Sequence, residues 1–122
     1  MIRGIGTDII EIDRISRAVK KDYFLKRAFS EGEIVMAKER NTDVFLAGNF
    51  AVKEAFVKAL GIGFRGIGLK DLEVLRDKYG KPFIRICNPE NIHLMDINEK
   101  NIYVSISNTN SLVVAMVVIE VD

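Results

Sequence analysis

The chain has 122 residues, 48% of them hydrophobic, and a formal net charge of +1 at pH 7. This length fits one domain over residues 1–122 with a real core, and the near-neutral charge excludes global steering of nucleic acid. Cys87 is the only cysteine, so an internal disulfide and a paired-cysteine metal site are excluded, and we expect a reducing cytoplasm. No apolar run approaches the ~20 residues of a membrane span, and the N-terminus lacks a signal-peptide pattern.

Residues 2–12 alternate as a β-strand. Apolar or β-branched residues at positions 5, 7 and 9 alternate with Gly4, Gly6 and Asp8. The alternation predicts that Asp8 shares one face with two glycines, where another group can approach the backbone closely beside a carboxylate. An acid at a strand end is equally typical of a turn or a cap.

A basic segment follows, with a helix predicted from about Asp13 through Val19. Its leading basic residues are Arg14, Arg17, Lys20 and Lys21. Such a run is either a solvated helix face or a docking surface for an acidic protein. Nucleic acid is disfavoured, because only Tyr23 and Phe24 offer stacking aromatics near the charges.

Two helix starts can be read farther along the chain. Ser30 and Glu33 have capping-box spacing, which predicts a helix to about Glu39. Residues 41–43 offer the N-cap of a longer central helix, and Gly61 has the expected position of its left-handed C-terminal cap.

The central helix carries charged residues of two kinds. Glu54 and Lys58 are four residues apart and therefore neighbours on one side, beside the small residues Ala47 and Ala51. That side can hold a ligand, although on the helix alone a solvated ion pair is the more ordinary explanation. Lys53 falls within the apolar arc, where it either extends its head to water or presents a charge to an interface or a bound anion.

The remaining segments are mostly strands. Residues 61–68 are glycine-rich; their backbone N–H groups, as at Gly63, and the Arg65 side chain can meet phosphate oxygens, but a flexible connector has the same composition. A hairpin is predicted from residues 72–86, and strands are predicted over 102–107 and 112–121. Between them, Pro89 can open a short helix.

Together these motifs resemble the 4′-phosphopantetheinyl transferases. The resemblance rests on residues 4–9 (Gly-Ile-Gly-Thr-Asp-Ile), 53–61 (Lys-Glu-Ala-Phe-Val-Lys-Ala-Leu-Gly), 80–82 (Gly-Lys-Pro) and 104–109 (Val-Ser-Ile-Ser-Asn-Thr). The chain length matches their short class, the holo-[acyl-carrier-protein] synthases. We therefore expect an α+β fold, with a mostly antiparallel sheet packed on one long helix and shorter helices beside it.

The resemblance implies a Mg²⁺-dependent transfer of 4′-phosphopantetheine from coenzyme A to a serine of acyl carrier protein, in support of fatty acid biosynthesis. It implies Asp8 and Glu54 as metal ligands, Glu54 as general base and Lys58 as the residue that stabilises the leaving phosphate. It further implies a carrier-docking surface at Arg14 and its basic neighbours, and a homotrimer with active sites between subunits. The expected coenzyme A contacts are Asn49, Lys53, Lys58, Gly63, Arg65, Asn108 and Thr109.

Two positions depart from the family pattern. Asn49 stands where an arginine is usual, and Asn108 stands where a histidine is usual; in the family both positions help to hold the 3′-phosphate of coenzyme A. Asparagine donates hydrogen bonds without charge, so we expect weaker coenzyme A binding unless Lys53 or Arg65 compensates. Two rival functions use the same residues: a non-catalytic module for an acidic partner and a Mg²⁺-dependent phosphohydrolase.

Overall fold

The structure, a computed structural model, describes residues 1–122. Its α-helices are Ile12–Ala18 (α1), Asp22–Ala28 (α2), Glu31–Lys38 (α3) and Thr42–Leu60 (α4). Its strands are Ile2–Glu11 (β1), Leu72–Arg76 (β2), Pro82–Ile86 (β3), Ile102–Asn108 (β4) and Leu112–Glu120 (β5). The predicted α+β class, with antiparallel sheet and one long helix, is confirmed.

The strands form two antiparallel sheets. β5 lies between β1 and β4 in a three-stranded sheet, and β2 pairs with β3 as the predicted hairpin. In the larger sheet, Asp8 of β1 is opposite Ala115 of β5, which is opposite Ile106 of β4. These three residues form one row across the sheet, and helix α4 packs on this face.

The predicted helix boundaries agree with the local chemistry. Ser30 and Glu33 form the reciprocal capping box that begins α3. The Asn41 side chain accepts a hydrogen bond from the backbone N–H of Val44 at the start of α4, and Gly61 ends the helix at φ +79°. Glycine adopts this left-handed conformation at little cost, so the chain can turn away directly after the helix.

Two segments differ from the sequence pattern. The basic segment contains a second helix, α2, which begins after Lys21 adopts an extended conformation; no capping signal in the sequence predicts it. Pro89 does not open a helix, because residues 88–98 form successive turns. No helix of the structure has both the length and the apolar character needed to cross a bilayer.

Helix α4 is the centre of the core. Nearly every residue between Phe45 and Ala59 is buried, as expected for a helix covered on all sides. Ala47 and Ala51 are fully buried, so the expectation that they leave room for a ligand beside Glu54 is wrong. Their small side chains instead belong to the packed core of the protein.

The contact between α4 and β1 is close enough to require glycine. A Cβ atom on Gly6 would lie 1.8 Å from the backbone oxygen of Ala55, and one on Gly4 would lie 1.9 Å from that of Ala59. Side chains at these positions would therefore force the helix away from the strand. The two glycines precede Asp8 on the same strand face, so they set the distance of that carboxylate from α4.

We predict that Gly6→Ala destabilises the protein by about 1–3 kcal/mol or more, because the new methyl group overlaps backbone atoms that cannot move independently. Urea unfolding followed by circular dichroism measures this change. Gly48→Ala is the matched control: its Cβ would meet its nearest neighbour at an ordinary 3.6 Å, and alanine in a helix interior is favoured over glycine by about 0.5–1 kcal/mol. Equal stability of Gly6→Ala and wild type would contradict the close contact.

Candidate active site

Two carboxylates from distant parts of the chain meet beside α4. Asp8 projects from β1 on the helix-facing side, and Glu54 lies in the C-terminal half of α4. Burial raises the pKa of Glu54 above its usual 4.5, and the negative charge of Asp8 raises it further. The two carboxylates therefore repel each other across a shared site.

Lys58 completes this group. Its ammonium donates to Asp8 Oδ1 at 3.2 Å and to the backbone oxygen of Thr7 at 3.0 Å. Helical side chains point toward the N-terminus of their helix, so Lys58 reaches back over the turn that contains Glu54. Its ion pair is with Asp8 of β1 rather than with Glu54 of its own helix, and about half of its side chain stays exposed.

Glu54 also faces a cavity of about 410 Å³ on the side of α2 and the glycine-rich loop. Apolar side chains of Phe64, Ile67 and Leu69 line part of it, and the charged residues Arg27, Lys70 and Asp71 line another part. The charge of Arg14 on α1 offsets part of the rise in the pKa of Glu54. Glu54 therefore lies between the Asp8–Lys58 pair and an open, partly apolar and partly basic cavity.

The donor set at this site suits one class of metal ion. The structure contains no group of three or more His, Cys, Asp or Glu side chains arranged to hold a metal, so a cation held by Asp8 and Glu54 would have no third ligand of these types from the protein. Mg²⁺ usually binds through one or two carboxylates, water and substrate phosphates. Zn²⁺ sites use histidine or cysteine ligands. A cation bound between the two carboxylates would relieve the repulsion that raises the pKa of Glu54.

A second cavity, of about 290 Å³, lies on the opposite flank of α4. Its lining includes Arg40, Gly48, Arg76, Ile106 and Asn108, and no acidic residue contributes to it. The Arg76 guanidinium stacks over the Phe45 ring at 4.5 Å from the centroid. The second cavity is therefore cationic and faces the β4 edge of the sheet, whereas Asp8 lies at the β1 edge.

Two residues expected to contact coenzyme A are buried. Lys53 is fully buried, and its ammonium donates to Glu33 Oε1 at 2.7 Å and to the backbone oxygen of Ala28 at 2.8 Å. Asn49 is also fully buried, and its amide donates to Glu33 Oε2 and accepts from Arg76. Neither side chain is accessible to a ligand, so the expectation of direct contacts by Lys53 and Asn49 is wrong.

The other expected coenzyme A contacts lie at the surface. Gly63 and Arg65 belong to the exposed loop after α4, where Gly63 has a positive φ of 63°. Asn108 ends β4 and lines the cationic cavity, and the Thr109 hydroxyl accepts backbone N–H groups that shape the β4–β5 turn. Asn108 is thus near the arginines, whereas the structure gives Arg65 no ion pair.

The basic residues expected to dock a partner are exposed on α1 and in the turn that follows it. They are Arg14, Arg17, Lys20 and Lys21. Arg17 has an acidic neighbour, Asp13, at 3.7 Å, and both side chains are largely exposed. The surface remains predominantly basic and adjoins the side of the molecule where Arg14 influences Glu54.

Sequence reasoning missed three residues of these sites. Glu33 appears in the sequence only as a capping residue, yet it is fully buried and accepts hydrogen bonds from Lys53 and Asn49. Arg40 precedes the α4 cap, and Arg76 ends a hairpin strand, with no motif to mark either. Glu33 bonds residues 16 and 20 positions away, and Arg76 bonds Asn49, 27 positions away; no local pattern reveals such contacts.

Comparison with known proteins shows which family the chain resembles in sequence and fold. Residues 4–117 match the 4′-phosphopantetheinyl transferase superfamily. The chain is 48% identical to a holo-[acyl-carrier-protein] synthase of Clostridium botulinum, with 99% of each chain covered. Among solved structures, the synthase of Bacillus anthracis in complex with CoA (3′,5′-ADP) gives a TM-score of 0.83 at 36% identity, covering 100% of this chain and 99% of that one. The synthase of Helicobacter pylori in complex with coenzyme A gives 0.82 at 34% identity, covering 95% and 99%.

We predict that Asp8→Asn lowers the pKa of Glu54 in metal-free protein, without restoring it to 4.5, because burial still opposes ionisation. NMR titration of the Glu54 side-chain carboxyl carbon measures the shift, and Asp13→Asn on exposed α1 is the control. The pKa of Glu54 is higher in the native protein than in the unfolded chain. The contribution of Glu54 to the free energy of unfolding is therefore fully present below about pH 4.5 and is lost as pH rises through the raised pKa. An unchanged Glu54 titration in Asp8→Asn would contradict the coupling.

Proposed function

The chain belongs to the 4′-phosphopantetheinyl transferase superfamily, and we propose that it transfers 4′-phosphopantetheine from coenzyme A to a serine of apo-acyl carrier protein. The observation that carries this proposal is the meeting of Asp8, Glu54 and Lys58 beside α4. Two carboxylates and one ammonium supply the positioning and charge stabilisation that phosphoryl-type transfer requires. The products are holo-acyl carrier protein and adenosine 3′,5′-bisphosphate.

Mg²⁺ is the metal that this donor set favours. Asp8 and Glu54 would hold it, and the ion would neutralise the pyrophosphate of coenzyme A while bound. The resident cation Lys58 already pairs with Asp8, which leaves Glu54 as the carboxylate without an ion pair. We therefore assign Glu54 both a share of the metal and a role toward the acceptor hydroxyl.

The positions of these side chains support the following chemical roles. The serine oxygen of the carrier forms a bond to the phosphorus that bears pantetheine, and the bond from that phosphorus to the oxygen of the adenosine bisphosphate breaks. Glu54 accepts the serine proton, directly or through a water molecule; its raised pKa brings it closer to the operating pH of a general base. Lys58 stabilises the charge that develops on the departing phosphate.

The carrier protein would dock on the basic surface of α1 and the following turn. Arg14 links this surface to the chemistry, because its charge acts on Glu54. Acyl carrier proteins are expected to present an acidic helix, so attraction would be electrostatic and sensitive to salt. The partly basic cavity beside Glu54 lies open for the incoming serine and pantetheine.

We further propose a homotrimer that serves fatty acid biosynthesis in the cytoplasm, where Cys87 stays a free thiol. The face of the large sheet that points away from α4 supports an oligomer, since it exposes apolar side chains. They are Ile5, Ile9, Tyr103, Val114 and Met116. A contiguous apolar face of this kind is typical of a subunit contact, and the partner it would fit is a second copy of the chain.

We predict that Glu54→Gln lowers transfer at least about 100-fold, since the amide can neither accept the proton nor hold a cation as a carboxylate does. The assay incubates protein, apo-acyl carrier protein, coenzyme A and Mg²⁺, and follows the phosphopantetheine mass gain of the carrier. Glu90→Gln, a neutralised acid in an exposed loop, should retain wild-type transfer. Unmodified carrier with broken-down coenzyme A would favour the phosphohydrolase, and intact binding without chemistry would favour the module.

We predict that Arg17→Glu raises the KM for the carrier about three- to tenfold, because it replaces an attraction with a repulsion at an exposed surface. The KM for coenzyme A and the kcat at saturating carrier should stay unchanged. Lys100→Glu, a matched charge reversal in an exposed turn after Asn98, serves as control. If both charge reversals raise the KM for the carrier equally, the effect comes from net charge alone, and α1 is not the docking surface.

A further inference from the structure

The cationic cavity on the β4 side of α4 carries two arginines and no acidic side chain. The arginines are Arg40 and Arg76, and neither guanidinium has an ion pair with a carboxylate in the structure. Burial lowers the pKa of Arg76 to about 10, and the positive charge of Arg40 contributes to that shift. Two like charges that repel each other at one cavity mark a site whose favourable partner is negatively charged.

Arg76 is held in position by the protein rather than left free. Its Nη1 donates to Asn49 Oδ1 at 2.9 Å and to the backbone oxygen of Leu75 at 3.3 Å, and its Cζ lies over the Phe45 ring, 4.5 Å from the centroid. Nη2 lies toward the helix at Gly48, where a Cβ atom would be 3.7 Å away. The remaining guanidinium N–H groups are the donors that the cavity can offer to a ligand.

Asn49 is oriented by groups deeper in the core. Its Nδ2 donates to Glu33 Oε2 at 2.9 Å and to the backbone oxygen of Val74 at 2.8 Å. Both hydrogens of the Asn49 amide therefore donate to acceptors. If the amide were flipped, its oxygen would lie against the oxygens of Glu33 and Val74, which is unfavourable. This fixed orientation leaves Oδ1 as an acceptor for Arg76, so Asn49 acts on the cavity only through that arginine.

Arginine forms forked, charge-assisted hydrogen bonds to phosphate oxygens, and a cavity of about 290 Å³ admits a phosphate monoester with part of its sugar. We propose that Arg76, held by Asn49 and assisted by Arg40, recognises the 3′-phosphate of coenzyme A. This inference rests on the proposed function. In this chain the positive charge at the site belongs to Arg76 of strand β2, and Asn49 of α4 is a positioning residue for that arginine.

The test compares the binding of adenosine 3′,5′-bisphosphate and adenosine 5′-monophosphate to the full chain by calorimetry. Wild type should prefer the bisphosphate by about tenfold or more, because an additional charged contact contributes at least that factor. Arg76→Gln should remove most of this preference and leave the affinity for the monophosphate within about twofold. Arg85→Gln, which neutralises an exposed arginine of the neighbouring strand β3, should preserve the preference.

The coupling of Asn49 to Arg76 has its own readout. Asn49→Ala should reduce the preference, and the double variant should be no worse than Arg76→Gln alone, since one residue acts through the other. Arg76→Lys keeps the charge but loses the fork that Asn49 holds, and should also lose most of the preference; it provides the same test where Asn49→Ala does not fold. Additive losses, or full retention in Arg76→Lys, would overturn the positioning role.

Three results would overturn the site itself: no wild-type preference for the bisphosphate, an unchanged preference in Arg76→Gln, or equal losses for both nucleotides. The measurement needs neither carrier protein nor transfer. A chain that binds the bisphosphate through Arg76 but fails to modify the carrier would refute the proposed function and leave this site standing. A competent transferase whose preference is independent of Arg76 would refute the site alone.

Discussion

The close contact between β1 and α4 is the constraint on which the site depends. At Gly4 and Gly6 the strand backbone lies so near the helix that a Cβ atom would overlap the carbonyl groups of Ala55 and Ala59. Asp8 continues the same strand face, so the contact also determines how near its carboxylate comes to Glu54. A wider separation, which any side chain at position 6 would impose, would leave two independent surface acids in place of one pair.

The buried polar group around Glu33 fixes the other side of α4. Glu33 accepts hydrogen bonds from Lys53, Asn49 and the backbone N–H groups of Ser30 and Val74, and no buried side-chain polar atom in the structure lacks a partner. Burial lowers the pKa of Lys53 and Glu33 opposes that shift. A buried ion pair adds little net stability compared with apolar packing, but its directional bonds join α3, α4 and β2 in one arrangement. Through Asn49 that arrangement extends to Arg76.

Local features of this chain could be read from its sequence, and contacts between distant residues could not. The capping box at Ser30, the glycine cap at Gly61 and the hairpin were predicted because each depends on neighbouring residues. Asp8 and Glu54 were paired only through the family resemblance, since nothing local relates a strand acid to a helix acid 46 positions later. The sequence around Lys53 predicts a snorkelling or ligand-binding charge, because nothing local shows that its partner, Glu33, lies in another helix. Arg76 is not predicted for the same reason: in the sequence it is only the last residue of a hairpin strand, and its partner Asn49 lies 27 positions away.

The carboxylates Asp8 and Glu54 and the arginines Arg40 and Arg76 lie on different sides of α4, and this separation bears on the proposed homotrimer. Asp8, Ala115 and Ile106 form one row across the three-stranded sheet, and two strand spacings of about 4.8 Å separate its ends. Helix α4 covers the middle of that row. The carboxylates therefore open at the β1 edge and the arginines at the β4 edge, with a packed helix between them. In the proposed homotrimer, contacts through the apolar face of the large sheet would bring the β1 edge of one subunit beside the β4 edge of the next, and a closed ring would give three equivalent sites. Each site would then combine the reacting carboxylates of one copy with the phosphate-binding arginines of its neighbour, so assembly and coenzyme A recognition would depend on the same edges.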